Sequence, residues 1–419
     1  MSSRNIGVSF DTPVIVGSSN VSAANGTHYW FPEVMLRLSP ACIALRVDRC
    51  EYSGLCPLRN HPAVCEQIVV STDSGATEFV DLYTAPPGLS LGRAIPAIGG
   101  APKQTLTGSP AAPGFLQTWS ASMPPTIEEK VLVTYSGIPP AFEGNRTCRS
   151  GSPCGLVGPS NTIVRTRGGV LLTAYYGTAT DSSRVCTHGG ANFCFTIAVV
   201  ASEDGGRSWT YTSRLDQTAT MPTNVEGPCE PTICELADGR LLIVFRLQNG
   251  TPLWMSRSSD GAQTWTQPRA TVGVGKGQHS RITPHSVWPQ LLLLSNGVLV
   301  LSSGRPGVGF WASFAGDGEV WQHYDVEAEH NQRVRLPEDR YALNSTGTSS
   351  YTAMLEIEPG VVLLAYDKGP CCLFACPDAP PTMVQKVFAM RIRTENGERS
   401  DRTKQPASSL PFASTAFAI

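Results

Sequence analysis

One octet, Ser202-Glu203-Asp204-Gly205-Gly206-Arg207-Ser208-Trp209, constrains this chain more than any other stretch. It recurs as Ser258-Ser259-Asp260-Gly261-Ala262-Gln263-Thr264-Trp265. Both copies fit Ser-x-Asp-x-(Gly/Ala)-x-(Ser/Thr)-Trp. Such an octet is a hairpin loop: the Asp carboxylate accepts from backbone N–H groups two and three residues on, Gly takes the left-handed conformation, and the hydroxyl closes the turn. The Trp, opening the outgoing strand, offers a large flat surface to bury between sheets. Asp204 and Asp260 stand 56 residues apart, and Asp317 lies 57 further on within Asp317-Gly318-Glu319-Val320-Trp321. A looser relative is Ser71-Thr72-Asp73-Ser74-Gly75. This spacing marks a repeat, and the Asp residues read as scaffold rather than catalysts.

A second repeated unit precedes each octet: a strand, a Gly turn and an apolar strand. It runs from Glu230 to Arg246 around Asp238-Gly239, from Trp288 to Arg305 around Asn296-Gly297, and from Tyr351 to Asp367 around Pro359-Gly360. Further copies run from Ser160 to Gly177 around Gly168-Gly169 and, more loosely, from Phe31 to Asp48 around Ser39-Pro40. Alternating β-branched runs bounded by Asp-Gly or Asn-Gly read as hairpins. Four antiparallel strands in roughly 60 residues make a propeller blade. Five modules are visible, and the gap between Pro40 and Gly169 leaves room for one more, with Lys130-Val131-Leu132-Val133-Thr134-Tyr135 its best fragment. The expected fold is all-β: a six-bladed β-propeller of four-stranded antiparallel blades over residues 1–393. A strand around Ile6 to Val16 closes the ring, and residues 394–419 form a loose tail.

Charged residues make up 16% of the 419, below the ~25% usual for soluble domains, while 40 Gly and 33 Pro fit a turn-rich protein with a large core. A net charge of −2 gives no electrostatic case for nucleic acid or an anionic membrane. No apolar run approaches the ~20 residues that span a bilayer. The 13 Cys fall in short-range couples (Cys148/Cys154, Cys186/Cys194, Cys229/Cys234, Cys371 or Cys372 with Cys376) and a group of Cys42, Cys50, Cys56 and Cys65. Loop couples of this kind suggest disulfides and an oxidising compartment. A Cys229–Cys234 bridge would hold Glu230 rigid. Zinc is the competing idea, but no Cys-x2-Cys pair or His cluster supports it. Sequons starting at Asn20, Asn25, Asn145, Asn249 and Asn344 agree with a secreted or lumenal protein, whereas Met1 to Phe10 lacks a basic-then-apolar leader; a trimmed or incomplete N-terminus reconciles the two.

Repeats allow an argument about function. Scaffold positions recur, so an equivalent position that differs chemically between modules marks a site. Nine residues before the turn stand Phe31, Ser160, Glu230, Trp288 and Tyr351. Seven or eight after it stand Asp48, Gly177, Arg246, Arg305 and Asp367. All belong to strand ends on the face opposite the Gly turns. Glu230, Tyr351, Arg246, Arg305, Asp48, Asp367, Trp288 and Trp30 are therefore expected on one rim around the central axis. Each also has a plainer use: ion pairing on the rim for the Arg residues, strand-end hydrogen bonding for the acids, blade packing for the aromatics.

The octets resemble the Asp boxes of the sialidase (neuraminidase) superfamily, whose six-bladed propeller matches the layout from Phe31 to about Arg391. The resemblance implies an exo-acting, retaining glycoside hydrolase with a Tyr nucleophile activated by Glu, an Asp acid/base and three Arg that clamp the substrate carboxylate. A neutral Tyr avoids the repulsion that a carboxylate nucleophile would meet at a carbon already bearing a carboxylate. Tyr351 matches the nucleophile, Glu230 its partner, Arg246 the second clamp Arg and Arg305, more loosely, the third. Asp48 is the best candidate for the acid/base. Trp30 stands where the first clamp Arg belongs, with Arg37 or Arg46 as possible substitutes, and Trp288 and Trp30 suit sugar stacking. With one guanidinium replaced by indole, ordinary sialosides are expected to be poor substrates and another acidic exo-linked sugar preferred. A glycan or glycoconjugate partner is implied, and no metal or organic cofactor. A non-catalytic carbohydrate-binding propeller and a protein-interaction scaffold are the other classes.

Overall fold

A computed structural model describes residues 7–20, 27–40, 42–52, 65–73, 75, 79–84, 93–96, 103–110, 112–120, 126–142, 155–181, 186, 194–275, 282–341, 347–369 and 384–395. The fold is almost wholly β. Strands β1 (Gly7–Phe10) and β2 (Val14–Asn20) come first and pair with the last strand of the chain. The first sheet is a meander of β3 (Thr27–Arg37), β4 (Ile43–Tyr52), β5 (Cys65–Ser71) and β6 (Val80–Thr84). Next come β7 (Arg93–Ile95), β8 (Lys103–Ser109), β9 (Ala112–Trp119) and β10 (Ile127–Ser136). A similar run follows: β11 (Gly155–Arg165), β12 (Leu171–Thr178), β13 (Phe195–Ser202) and β14 (Ser208–Leu215). Parallel pairing of β10 with β14, from Thr134 with Ser208 to Ser136 with Thr210, joins these two runs into one eight-stranded sheet.

The fourfold sheet β15 (Cys229–Glu235), β16 (Leu241–Arg246), β17 (Trp254–Ser258) and β18 (Arg269–Ala270) follows. A five-stranded sheet holds β19 (Gly273–Val274), β20 (Gln290–Leu293), β21 (Leu299–Gly304), β22 (Val308–Ser313) and β23 (Trp321–Asp325). Helix α1 (Val326–Arg333) then leads to β24 (Thr352–Glu358), β25 (Val361–Lys368) and β26 (Val384–Glu395). The described chain thus forms a propeller-like arrangement of four sheets of four or five strands and one of eight. Among the described residues no helix is long and apolar enough to cross a membrane.

The core sits between successive sheets, because a sheet with two apolar faces must be covered on both. Leu172, Val199, Ile243 and Phe245 pack β12 and β13 on β16, and Leu242, Val244, Leu299 and Trp311 pack β16 on β21 and β22. Ile43, Leu45 and Val69 of the first sheet pack on Leu363, Ala365 and Val387 of the last. That contact brings the two ends of the described chain together, and β1 and β2 reinforce it by pairing with β26.

The octets are the predicted turns, with one difference. Asp204 Oδ1 accepts from the N–H groups of Arg207 at 3.0 Å and Ser208 at 2.9 Å, three and four residues on rather than two and three. Its Oδ2 accepts from the Ser208 hydroxyl at 2.6 Å, and the Ser202 hydroxyl donates to Oδ1 at 2.8 Å. Asp260 repeats these contacts, with Thr264 in place of Ser208. The loop reaches these later N–H groups through consecutive left-handed positions, Gly205 and Gly206 at φ +76° and +98° and Gly261 and Ala262 at +72° and +71°. Ser71 and Asp73 make the same opening contact, while Ser313 donates to Asp317 across four residues rather than two, at 3.3 Å. Trp209 and Trp321 are fully buried.

Candidate active site

The Gly turns and the octets share one side of the molecule. Gly168, Gly239, Asp204 and Asp260 all line one cleft of about 600 Å³ there, and none of the candidate catalytic residues does. Those residues occupy the opposite strand ends. Glu230 is the second residue of β15, whose first, Cys229, pairs with Arg246 at the end of β16. Trp288 precedes β20, Arg305 follows β21 and Tyr351 precedes β24. The backbone here is unusual. Among the described residues five non-glycines have left-handed φ, and four belong to this cluster: Glu230 (+46°), Trp288 (+49°), Arg305 (+68°) and Ser350 (+68°). Each such position costs of order 1–3 kcal/mol and persists only where surrounding contacts hold it.

Those contacts form one network. Arg246 Nη1 donates to Glu230 Oε1 at 2.6 Å, and Nη2 donates to Glu226. The second Glu230 oxygen accepts the Trp288 N–H at 2.9 Å. The Trp288 and Tyr351 rings lie 5.4 Å apart at 57°. The Arg305 guanidinium stands 5.8 Å from the centre of the Tyr351 ring; Nη1 donates to Asn249 Oδ1 at 3.1 Å and Nη2 to the Ser349 carbonyl at 2.9 Å. Three sheets thereby bring Glu230, Arg246, Trp288, Arg305 and Tyr351 together. Burial, then the charge of Glu230, push the Tyr351 phenol well above its ordinary pKa, while Arg305 and Arg246 act the other way. At rest Tyr351 is neutral. Glu230 keeps acceptor capacity beside it, because a carboxylate has about four lone-pair sites and two are engaged.

Asp367, which the repeat placed on the rim, does not face it. It is fully buried and accepts from the Thr348 hydroxyl at 3.1 Å, the Ser349 N–H at 2.8 Å and the Ser349 hydroxyl at 2.5 Å. Ser349 Oγ in turn accepts the Tyr351 N–H at 3.2 Å. Asp367 therefore fixes the segment that presents Tyr351.

Trp30 and Asp48 lie in β3 and β4, opposite Arg49 and Phe31 respectively, and their side chains fall outside the described residues. Of the substitutes for a first clamp Arg, Arg46 is paired with Glu33 at 2.8 Å. Arg37 donates to the carbonyls of Pro40 and Ile357, at the Gly-turn end and away from the cluster. The expected Cys229–Cys234 bridge is absent: both thiols are free and buried. Side chains alternate along a strand, so five residues of separation send Cys229 into the core toward β12 and Cys234 into the core toward β21. Cys186 and Cys194 are bridged as expected. The other Cys couples, and all sequons but Asn249, lie wholly or in part outside the described residues. No group of three or more His, Cys, Asp or Glu that could hold a metal ion occurs among the described residues.

Sequence reasoning missed Glu226, Glu33 and Ser349. Glu226 lies in the connection before β15, where no repeat position exists to compare, and Glu33 sits beside the register shift between Pro32 and Val34 of β3. Ser349 was legible only as a neighbour of Tyr351.

A profile of the BNR repeat-like domain matches residues 151–362, half of the chain. The chain belongs to that family. No curated protein matches this BNR repeat-like protein. Among solved structures, a protein of unknown function from Dyadobacter fermentans is 14% identical over 93% of this chain and 100% of its own, with a TM-score of 0.56. A Hadza microbial sialidase is 14% identical over 88% of this chain and 68% of its own, with a TM-score of 0.50. At these identities the likeness is one of fold: the BNR repeat-like protein has the sialidase-like, propeller-like architecture that its octets imply.

Proposed function

We propose that this BNR repeat-like protein is an exo-acting, retaining glycoside hydrolase with Tyr351 as nucleophile. In this reading the eight-stranded sheet counts as two blades, making six; apolar clusters on either side of the β7–β10 run support that count. The observation that carries the function is the meeting of Tyr351 with Glu230, Arg246, Arg305 and Trp288 from three sheets, on backbone held in left-handed conformations.

Tyr351 Oη attacks the anomeric carbon as its proton passes to Glu230, so the phenol need not ionise beforehand and its raised pKa is no obstacle. Asp48 gives its proton to the leaving oxygen. Water then attacks the glycosyl-tyrosine with Asp48 as base, and the departing phenolate recovers its proton from Glu230. Arg246 holds the Glu230 carboxylate in place through their 2.6 Å ion pair. Arg305 and Trp288 line the substrate side, and Trp30 is assigned to sugar stacking with them. The Cys186–Cys194 bridge supports an extracellular or lumenal location.

The test is a panel of aryl glycosides with wild type, Tyr351→Phe and Glu230→Gln. Loss of turnover in both variants, with a glycosyl-tyrosine trapped in the wild type, supports the assignment; full activity in both overturns it. A second reading, a carbohydrate-binding propeller without turnover, is favoured by one observation: Glu230 bonds Arg246 and Trp288 rather than the Tyr351 phenol. Binding without hydrolysis across the panel would decide for it.

A further inference from the structure

Resting on the glycosidase reading above, we propose that the sugar ring this site accepts is uncharged, and that Glu226 is the residue that sets this preference. The expectation of an acidic sugar came with the Tyr nucleophile, which suits an anomeric carbon bearing a carboxylate, and it also required Arg246 and Arg305 to be available to an anion. Arg246 is not. Its guanidinium is buried between two carboxylates, Nη1 on Glu230 and Nη2 on Glu226, so the group of three carries one net negative charge. Glu226 is no loose partner. Its N–H donates to the Leu247 carbonyl at 3.0 Å and its carbonyl accepts the Phe195 N–H at 2.8 Å. The next residue, Gly227, lies at φ +97°, where a Cβ would come within 2.6 Å of Phe195 N. The backbone therefore fixes Glu226 against Arg246.

The wider charge balance agrees. Among the described residues the charges that act most on Tyr351 are Glu230, Arg305, Arg246 and Glu33, and Glu33 is paired with Arg46. With Glu226 included, three acids face three guanidinium groups among the described residues, so these give no excess of positive charge to an anion, and Asp48, the proposed acid/base, would add none. Both terminal nitrogens of Arg305 already donate, to Asn249 and to Ser349. A sugar carboxylate would add a negative charge beside Glu230 and Glu226, whose shared cation Arg246 is already engaged by both. An uncharged ring meets no such penalty, and the half-exposed Trp288 indole beside Tyr351 offers an apolar face for its C–H groups.

The experiment compares uncharged 4-nitrophenyl glycosides with the matching uronides and an aryl sialoside, using wild type and Glu226→Gln. Gln keeps an oxygen acceptor for Arg246 and removes the charge. The wild type is expected to favour the uncharged substrates by at least about tenfold in kcat/KM, and Glu226→Gln to shrink that ratio by about tenfold, the factor that one charge-assisted hydrogen bond is worth. A wild type that prefers a uronide or the sialoside overturns the proposal even if the variant does not fold. So does a folded Glu226→Gln with an unchanged ratio. If the wild type hydrolyses nothing, the glycosidase reading fails separately, and tryptophan fluorescence titrations with uncharged sugars and uronic acids carry the test. An uncharged preference that Glu226→Gln weakens upholds the proposal; a preference for uronic acids, or no binding of either class, overturns it.

Discussion

His330 of α1 is expected to make the stability of this protein fall in mild acid. Its side chain is fully buried, ringed edge-on by Tyr341, Tyr366 and Phe388. Nε2 lies 2.8 Å from the Asp339 carbonyl, which can only accept, so Nε2 carries the hydrogen and Nδ1 accepts from the Tyr366 hydroxyl at 2.8 Å. Burial is the main influence on the imidazole and brings its pKa down to about 4 from 6.5; the Asp339 carbonyl and carboxylate work the other way, and Lys368 works with burial. Between these two values the unfolded chain binds a proton that the native state refuses. Stability therefore rises with pH across this window and is lost as pH falls through it. The full effect is about 3 kcal/mol, of which about 2 kcal/mol falls between about pH 7 and about pH 4.5. Urea unfolding at those two values, with wild type and His330→Gln, isolates the term, because other carboxylates titrate alike in both proteins. The variant is expected to be less stable at neutral pH yet to lose about 2 kcal/mol less on acidification. Equal losses in the two proteins would show that His330 is not held neutral in the native state.

Trp209→Ala is expected to cost about 3–5 kcal/mol, since the side chain is fully buried and its Nε1 donates to the Gly206 carbonyl; an unchanged melting temperature would refute its place between sheets. Asp367→Ala leaves buried donors of Thr348 and Ser349 without an acceptor and should destabilise by about 2–4 kcal/mol, read by calorimetry. Asp260 is held down at about 2 by donors from Thr264, Ser258 and Gln263, so its stabilising contribution is present above the ordinary carboxylate range and disappears as pH falls toward 2; an NMR titration with an unshifted Asp260 carboxyl would contradict the turn geometry. Non-reducing peptide mapping should recover Cys186 linked to Cys194, with Cys229 and Cys234 alkylated only after unfolding.

Much of the scaffold was legible because local chemistry repeats. An octet that folds the same way wherever it occurs, and a hairpin whose turn demands Gly, leave marks in the chain that need no tertiary contact. Counting from those turns also found Glu230, Arg246, Trp288, Arg305 and Tyr351, since a strand of fixed rise carries a fixed number of residues from one face to the other. The same count failed for Asp367. It gives the strand end a residue occupies and not the side of the strand its side chain takes, and Asp367 turns inward to Ser349.

By itself, then, the sequence determined the repeated β module and the end of the sheets at which Glu230, Arg246, Trp288, Arg305 and Tyr351 meet. Only the tertiary structure decided three things. The union of β10 with β14 into one eight-stranded sheet depends on backbone groups, which every sequence carries alike. The separation of Cys229 from Cys234 depends on which neighbouring core each face of β15 meets. The neutralisation of Arg246 by Glu226 depends on a connection that lies outside the repeat, brought to the site by packing against Phe195 and Leu247. An arginine in a sequence is a charge; whether that charge is available to a ligand is set by the acids that folding places around it.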